Sequence, residues 1–162
     1  VQMITSDAHK GLVASIKKSF TNVSWQRCQV HFLRNIFASI PKKDSVAFRE
    51  QIKALFKFTD IDIARKTKAK ITETYIDDRK YKTACTILDE GFEDAFQYIT
   101  SGGRNSRLRS TNLLERLNEE LRRRERIIRI FPNVSSANRL IGALLIDQSE
   151  QWEYAARNYI KM

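Results

Sequence analysis

Glycine (5 of 162 residues), proline (2), cysteine (2) and histidine (2) are all scarce in this chain. Each shortage excludes something. So little glycine and proline rules out a fibrous or low-complexity chain and leaves few interruptions to helix. Two cysteines, Cys28 and Cys85, are too few for a disulfide framework; they read as thiols and suit a reducing, cytoplasmic setting. No run approaches the 18 or more apolar residues of a membrane span, and the opening VQMITSDAHK lacks the basic start and apolar stretch of an export signal. What the chain does have is 42% hydrophobic, 10% aromatic and 30% charged residues, the make-up of a mostly helical globule about one domain long.

Charge is present in excess of one sign. The formal net charge is +10, and it is uneven: residues 1–59 carry 10 basic and 3 acidic side chains, residues 60–100 carry 7 and 9, residues 101–130 carry 9 and 4, and the remainder 3 and 3. Two basic blocks flank an acidic stretch. Such asymmetry attracts a polyanion, because each lysine or arginine that neutralises a phosphate releases a counterion. The same charge would also serve as a solvated face, and composition alone does not separate the two.

The apolar pattern gives an order of elements. Val1–Thr5 and Trp25–Val30 read as short strands, the first followed by a helix carrying Leu12, Val13, Ile16 and Phe20, the second by a helix that Pro41 ends. Beyond Pro41 the periodicity is purely helical: Phe48, Ile52, Leu55 and Phe56; then Ile61, Ala64, Ile71 and Tyr75; then Tyr81 to Ile99, stopped by Ser101-Gly102-Gly103. Leu114, Leu117 and Leu121 stripe a helix after Ser110-Thr111-Asn112. Two further helices are expected, one around Ala137 to Leu145 and one from Trp152 to Ile160.

Several residues could carry chemistry. Asp7, at the carboxyl end of the first strand, could hold a hard cation such as Mg²⁺, or it could simply cap the next helix. Glu115 shares a helix face with Asn112 and Glu119; that face could belong to a site, to a surface ion-pair array, or to an Asn112–Glu115 capping pair. Cys28-x-x-His31 has half of a zinc knuckle's spacing, but four ligands would require His9 and Cys85 to converge on it. A Cys/His nucleophile pair on one strand would have side chains leaning apart. Nine basic residues between Arg104 and Arg129 form a stretch able to fork onto phosphate oxygens.

Three blocks are more specific together than apart. They are Ser6-Asp7-Ala8-His9-Lys10-Gly11-Leu12; Trp25-Gln26-Arg27-Cys28-x-x-His31 with Arg34-Asn35; and Thr111-Asn112-x-x-Glu115-Arg116-x-Asn118-x-Glu120-x-Arg122-Arg123-Arg124, running to Phe131-Pro132-Asn133. In order, wording and separation this resembles the Mutator-type transposases of bacterial insertion sequences, across essentially the whole chain.

The resemblance implies an α/β, helix-dominated fold: a partial ribonuclease H-like core represented by its last two strands, with an all-helical insertion. Residues 1–41 would be the second half of that core, 42–103 the insertion and 104–162 the C-terminal core helices. It implies DDE-class chemistry with two Mg²⁺ or Mn²⁺ ions, Asp7 as the family's second aspartate and Glu115 as its glutamate, both as metal ligands. Cys28 and His31 match a signature near the active site. Lys10, Arg27, Arg34, Asn112, Arg116, Arg122, Arg123 and Arg124 are the expected DNA contacts. The partners implied are insertion-sequence ends and target DNA, with homo-oligomerisation of the complete protein, no membrane, and a nucleoid-associated place in the cytoplasm. The family's first aspartate lies upstream of the strand with which this chain opens. The expectation is therefore a C-terminal portion, inactive alone, binding DNA weakly and without sequence preference. A non-catalytic nucleic-acid-binding module, or a truncated product that interferes with full-length transposase, are the alternatives.

Overall fold

The computed structural model describes residues 1–43, 45–100 and 106–154. Strand β1 (Met3–Ser6) leads into helix α1 (Lys10–Ser19), strand β2 (Ser24–Arg27) and helix α2 (Gln29–Ala38). Then come α3 (Val46–Leu55), α4 (Ile61–Tyr75), α5 (Lys82–Thr100), a 3₁₀ turn at Ser106–Arg109, α6 (Asn112–Ile128) and α7 (Val134–Tyr154). The strands pair in parallel, Met3 opposite Ser24 through Ser6 opposite Arg27, so the opening is a βαβ unit. The chain divides into two compact units, Val1–Thr111 and Asn112–Met162.

The two strands are neighbours, as their apolar runs predict, but the second is shorter than the expected Trp25–Val30. Its partner β1 ends at Ser6, so beyond Arg27 there is no backbone left to pair with. The Cys28 N–H makes the last such bond, to the Ser6 carbonyl at 2.8 Å, and Gln29 and Val30 are already helical. Helix formation wins at once because Gln29 has somewhere to go: its amide donates to the Ala95 carbonyl on α5 at 2.7 Å. The first strand is likewise displaced, from Val1–Thr5 to Met3–Ser6, with Val1 exposed.

The stretch 42–103 was expected to be all-helical; among its described residues, 42–43 and 45–100, the only regular elements are α3, α4 and α5, joined by turns and with no strand between them. Asp60 starts α4 by accepting from the Asp62 and Ile63 N–H groups at 2.9 and 3.0 Å, which satisfies two of the donors a helix leaves orphaned. Its helices are not a separate body, because one core joins them to α2: Phe32 and Ile36 pack with Phe48, Ile52, Leu55, Phe56, Leu88, Phe92 and Phe96. Rings meet along it, Phe32–Phe56 edge-on at 5.8 Å, Phe56–Phe96 at 5.2 Å and Phe92–Phe96 stacked at 4.5 Å. Such pairs add to the burial energy of their area.

Helix α5 also lies against β2, and one residue fastens the two. Gln26, fully buried, donates to the Arg27 and Ala95 carbonyls, each at 2.7 Å, and its Oε1 accepts from the Tyr98 N–H at 2.8 Å. A buried amide so fully satisfied ties strand to helix. In the second unit, Ala137 to Trp152 lie on one continuous helix, α7, rather than two. The residues expected to extend a final helix, Ala155 to Ile160, lie outside the described residues. No described helix is long and apolar enough to cross a membrane.

Candidate active-site edge and basic helix

Asp7 follows the last residue of β1, and Arg27 is the last residue of β2, so both stand at the carboxyl edge of the parallel pair. The capping alternative for Asp7 does not hold. Helix α1 starts at Lys10 with His9 at its N-cap, and no side chain makes the cap bond. The Asp7 carboxylate is instead 56% exposed, and its Oδ1 stands 3.6 Å from His31 Nδ1 on α2, longer than a hydrogen bond and within ion-pair range. Beneath it, Ser6 Oγ accepts from the Trp25 indole at 2.9 Å and donates to the Asp7 carbonyl at 2.9 Å, fixing the backbone from which Asp7 departs.

Arg27 is held more tightly than an ordinary surface cation. Its guanidinium carbon lies 4.2 Å from the centre of the Phe32 ring, a cation–π geometry. Both groups border α5 at Gly91: a Cβ there would collide with Arg27 Nη1 and stand 2.6 Å from Phe32 Cε2. Glycine is required at position 91 because the guanidinium and the ring occupy the side chain's space. Burial pushes the Arg27 pKa below its usual value, while Asp94, Asp7 and Glu90 pull the other way. Among the described residues its N–H groups donate to no side chain.

The Cys-x-x-His pair divides. Cys28 is the N-cap of α2 and His31 lies in its first turn, so they do not share a strand as expected. The fully buried Cys28 Sγ turns toward Thr111, accepting from its backbone N–H at 3.5 Å and lying 3.4 Å from its hydroxyl. Cys85 belongs to the hydrophobic core, where burial, with Asp89 nearby, raises its thiol pKa. Among the described residues no three His, Cys, Asp or Glu side chains cluster to hold a metal.

In the second unit Glu115 lies in the first turn of α6. Farther along, the arginines sort into two kinds. Glu120 takes two of them: Arg123 donates twice, both at 2.8 Å, and Arg124 once at 2.9 Å. These bonds lower the Glu120 pKa to about 2, Arg123 contributing most. Arg122 and Arg126 make no ion pair among the described residues, and with Glu119 and Arg123 they line a shallow depression of about 330 Å³. Lys10, Arg34, Asn112 and Arg116 are all exposed.

A model of the Mutator family of transposases matches residues 1–155. The chain belongs to that family. It is 64% identical over 98% of its length to the transposase of insertion sequence IS256 in transposon Tn4001 of Staphylococcus aureus. It is 37% identical over 100% of its length to the transposase of ISRM5 from Rhizobium meliloti, and 32% over 94% to that of IS1081 from Mycobacterium tuberculosis. It spans 41%, 40% and 36% of those three proteins.

Sequence reasoning singled out Asp7, Arg27, Cys28 and His31 but missed two residues that organise this edge. Gln26 stands among Ser24, Arg27 and Gln29, so nothing in its sequence surroundings marks it as buried. Gly91 interrupts an otherwise strong helix former, and a glycine inside a helix signals close approach.

Proposed function

We propose that this Mutator-family chain supplies the C-terminal part of a DDE-class transposase's catalytic domain, which cleaves insertion-sequence ends and joins them to target DNA. The observation that carries the reading is Asp7: an exposed carboxylate at a strand's carboxyl end, not spent on helix capping, in a chain 64% identical to an insertion-sequence transposase. On this reading β1 and β2 are two strands of a ribonuclease H-like core. Asp7 and Glu115 are two of its catalytic carboxylates, their oxygens the donor type that hard divalent cations take. Two Mg²⁺ or Mn²⁺ ions, when bound, supply activation of the attacking water or 3′ hydroxyl and charge uptake on the leaving oxygen.

The chain's own residues then have distinct tasks. Arg27, pinned between Phe32 and Gly91, presents a pre-ordered fork to a phosphate beside Asp7, losing little freedom on binding. Lys10, Arg34, Asn112, Arg116 and Arg122 contact the backbone, and Arg123 and Arg124 do so while sharing Glu120. The complete protein acts as a homo-oligomer on nucleoid DNA in the cytoplasm.

The test is a strand-cleavage assay on insertion-sequence ends. In the full-length transposase, Asp7→Asn and Glu115→Gln should each abolish Mg²⁺-dependent cleavage while end binding persists. Retained cleavage in either variant sinks the assignment.

A further inference from the structure

We infer that Cys28-x-x-His31 is a positioning pair that registers two segments from one helical turn, His31 standing against the Asp7 carboxylate and Cys28 holding the backbone from which the Glu115 helix departs. That the two segments matter for catalysis rests on the reading above; the holding itself does not.

The geometry supports a divided role. Cys28 ends the sheet ladder, with its N–H on the Ser6 carbonyl at 2.8 Å, so its position is locked to the residue that precedes Asp7. It is also the N-cap of α2, yet it makes no side-chain cap bond. Its sulfur, with no exposed surface, is directed to Thr111, which it meets through both the N–H and the hydroxyl. Thr111 is the last residue of the first compact unit, and α6 begins at Asn112. Three residues later, in the first helical turn, stands Glu115.

A thiol suits this duty. Sulfur is a weak, diffuse acceptor that packs as an apolar group, so it can hold an amide inside a core where a carboxylate would need an ion for company. His31, one turn along α2, stands against Asp7 at 3.6 Å. The same short stretch therefore meets Asp7, just past the end of β1, with one side chain and Thr111, the last residue of the first unit, with the other, although 104 positions separate Asp7 from Thr111.

The experiment uses the full-length transposase with Cys28→Ala, Cys28→Ser and His31→Ala, read by hydrogen-exchange mass spectrometry and by steady-state cleavage of insertion-sequence end DNA. Cys28→Ala should raise exchange about tenfold in the peptide covering residues 107–118 and leave the β1 and β2 peptides within twofold. Its kcat should fall about 30-fold with KM within twofold, and Cys28→Ser, which restores a small acceptor, should recover part of both. His31→Ala should lower kcat without changing exchange in 107–118. If Cys28→Ala does not fold, Thr111→Val, which removes the hydroxyl contact and leaves the thiol in place, should still raise exchange there about threefold.

Unchanged exchange in 107–118, or an equal rise throughout the first unit, overturns the inference. So does an unchanged kcat in folded Cys28→Ala where Asp7→Asn and Glu115→Gln are inactive. Retained cleavage in the two carboxylate variants would instead defeat the catalytic reading, while the exchange result would still decide whether Cys28 holds Thr111.

Discussion

The two compact units are built on different terms. In residues 1–111 the helices bury side chains deeply, α5 alone placing six residues in the hydrophobic core. In α6 and α7 not one described residue is buried, and Leu114, Ile127, Ile130, Val134 and Ile146 are exposed. An isolated helix of this length is marginal in water, and most helical stability comes from burying a face. The comparison teaches a division of labour. The first unit has the packing needed to hold chemical groups rigidly. The second has a charged surface in which α6 carries five arginines and four glutamates; on the DNA-binding reading proposed above, its phosphate affinity depends on which arginines are left unpaired.

The sharpest way to break this contrast is to remove a group from the rigid edge. Asp7→Asn in the full-length transposase should lower cleavage at least about 10³-fold, the scale expected when a metal-holding group is lost, while DNA affinity stays within twofold. A gel-based cleavage assay run beside a binding titration checks it. Affinity falling in parallel with cleavage would move Asp7 from chemistry to binding.

Next in size are truncations that compare the two interiors. Phe32→Ala should cost about 3–5 kcal/mol, because a fully buried ring leaves a cavity and Arg27 loses its stacking surface. Leu145→Ala on α7, 41% exposed, should stay within about 0.5 kcal/mol. Gly91→Ala falls between them, at about 1–3 kcal/mol, since a methyl has no room beside the Phe32 ring and must also push Arg27 aside. Denaturant melts distinguish the three. Equal losses in Phe32→Ala and Leu145→Ala would mean that the second unit has a core of its own.

How much was legible beforehand follows the same line. Helices with strong apolar periodicity, such as α3 and α5, and the strand–helix–strand–helix opening were readable because period and turn chemistry act locally; the parallel pairing of the strands was not. The end of β2 was not, since what stops it is the end of its partner at Ser6, a fact of pairing rather than of residues 28–30. Asp7 was visible at a strand end, but only the start of α1 at Lys10 shows that it is not a cap. Gln26 and Gly91 act through α5 and β2, which are about 70 residues apart in sequence. The family blocks named Cys28 and His31 without showing that the two side chains face different segments.

A smaller effect sharpens the basic side of the comparison. Arg122→Ala should weaken DNA binding uniformly across sequences and reduce the slope of log affinity against log salt by about 1. Arg124→Ala should do less, because Arg124 already shares Glu120. Conversely, Glu120→Gln frees two guanidinium groups and should steepen the slope. Fluorescence anisotropy across a salt series measures all three. Equal slopes for Arg122→Ala and Arg124→Ala would show that pairing with Glu120 does not matter.

The smallest expected effect is a pH dependence confined to the second unit. The Glu120 pKa is depressed to about 2 from an ordinary 4.5 by Arg123 and Arg124. A group whose folded pKa is lowered contributes stability that is fully present above its unfolded value and is lost as pH falls through the folded one. Its contribution to α6 should therefore be intact above about pH 4.5 and fade between there and pH 2, when protonation removes the acceptor of both arginines. Glu120 and its two arginines remain open to solvent, so salt should blunt the effect. Carboxyl carbon chemical shifts should report a Glu120 midpoint near 2, and far-ultraviolet circular dichroism a slight loss of helix across the same window. In Glu120→Gln that loss should be missing. A Glu120 midpoint near 4.5 would mean that the arginines are free to meet phosphate, and α6 would then offer Arg122, Arg123 and Arg124 on equal terms.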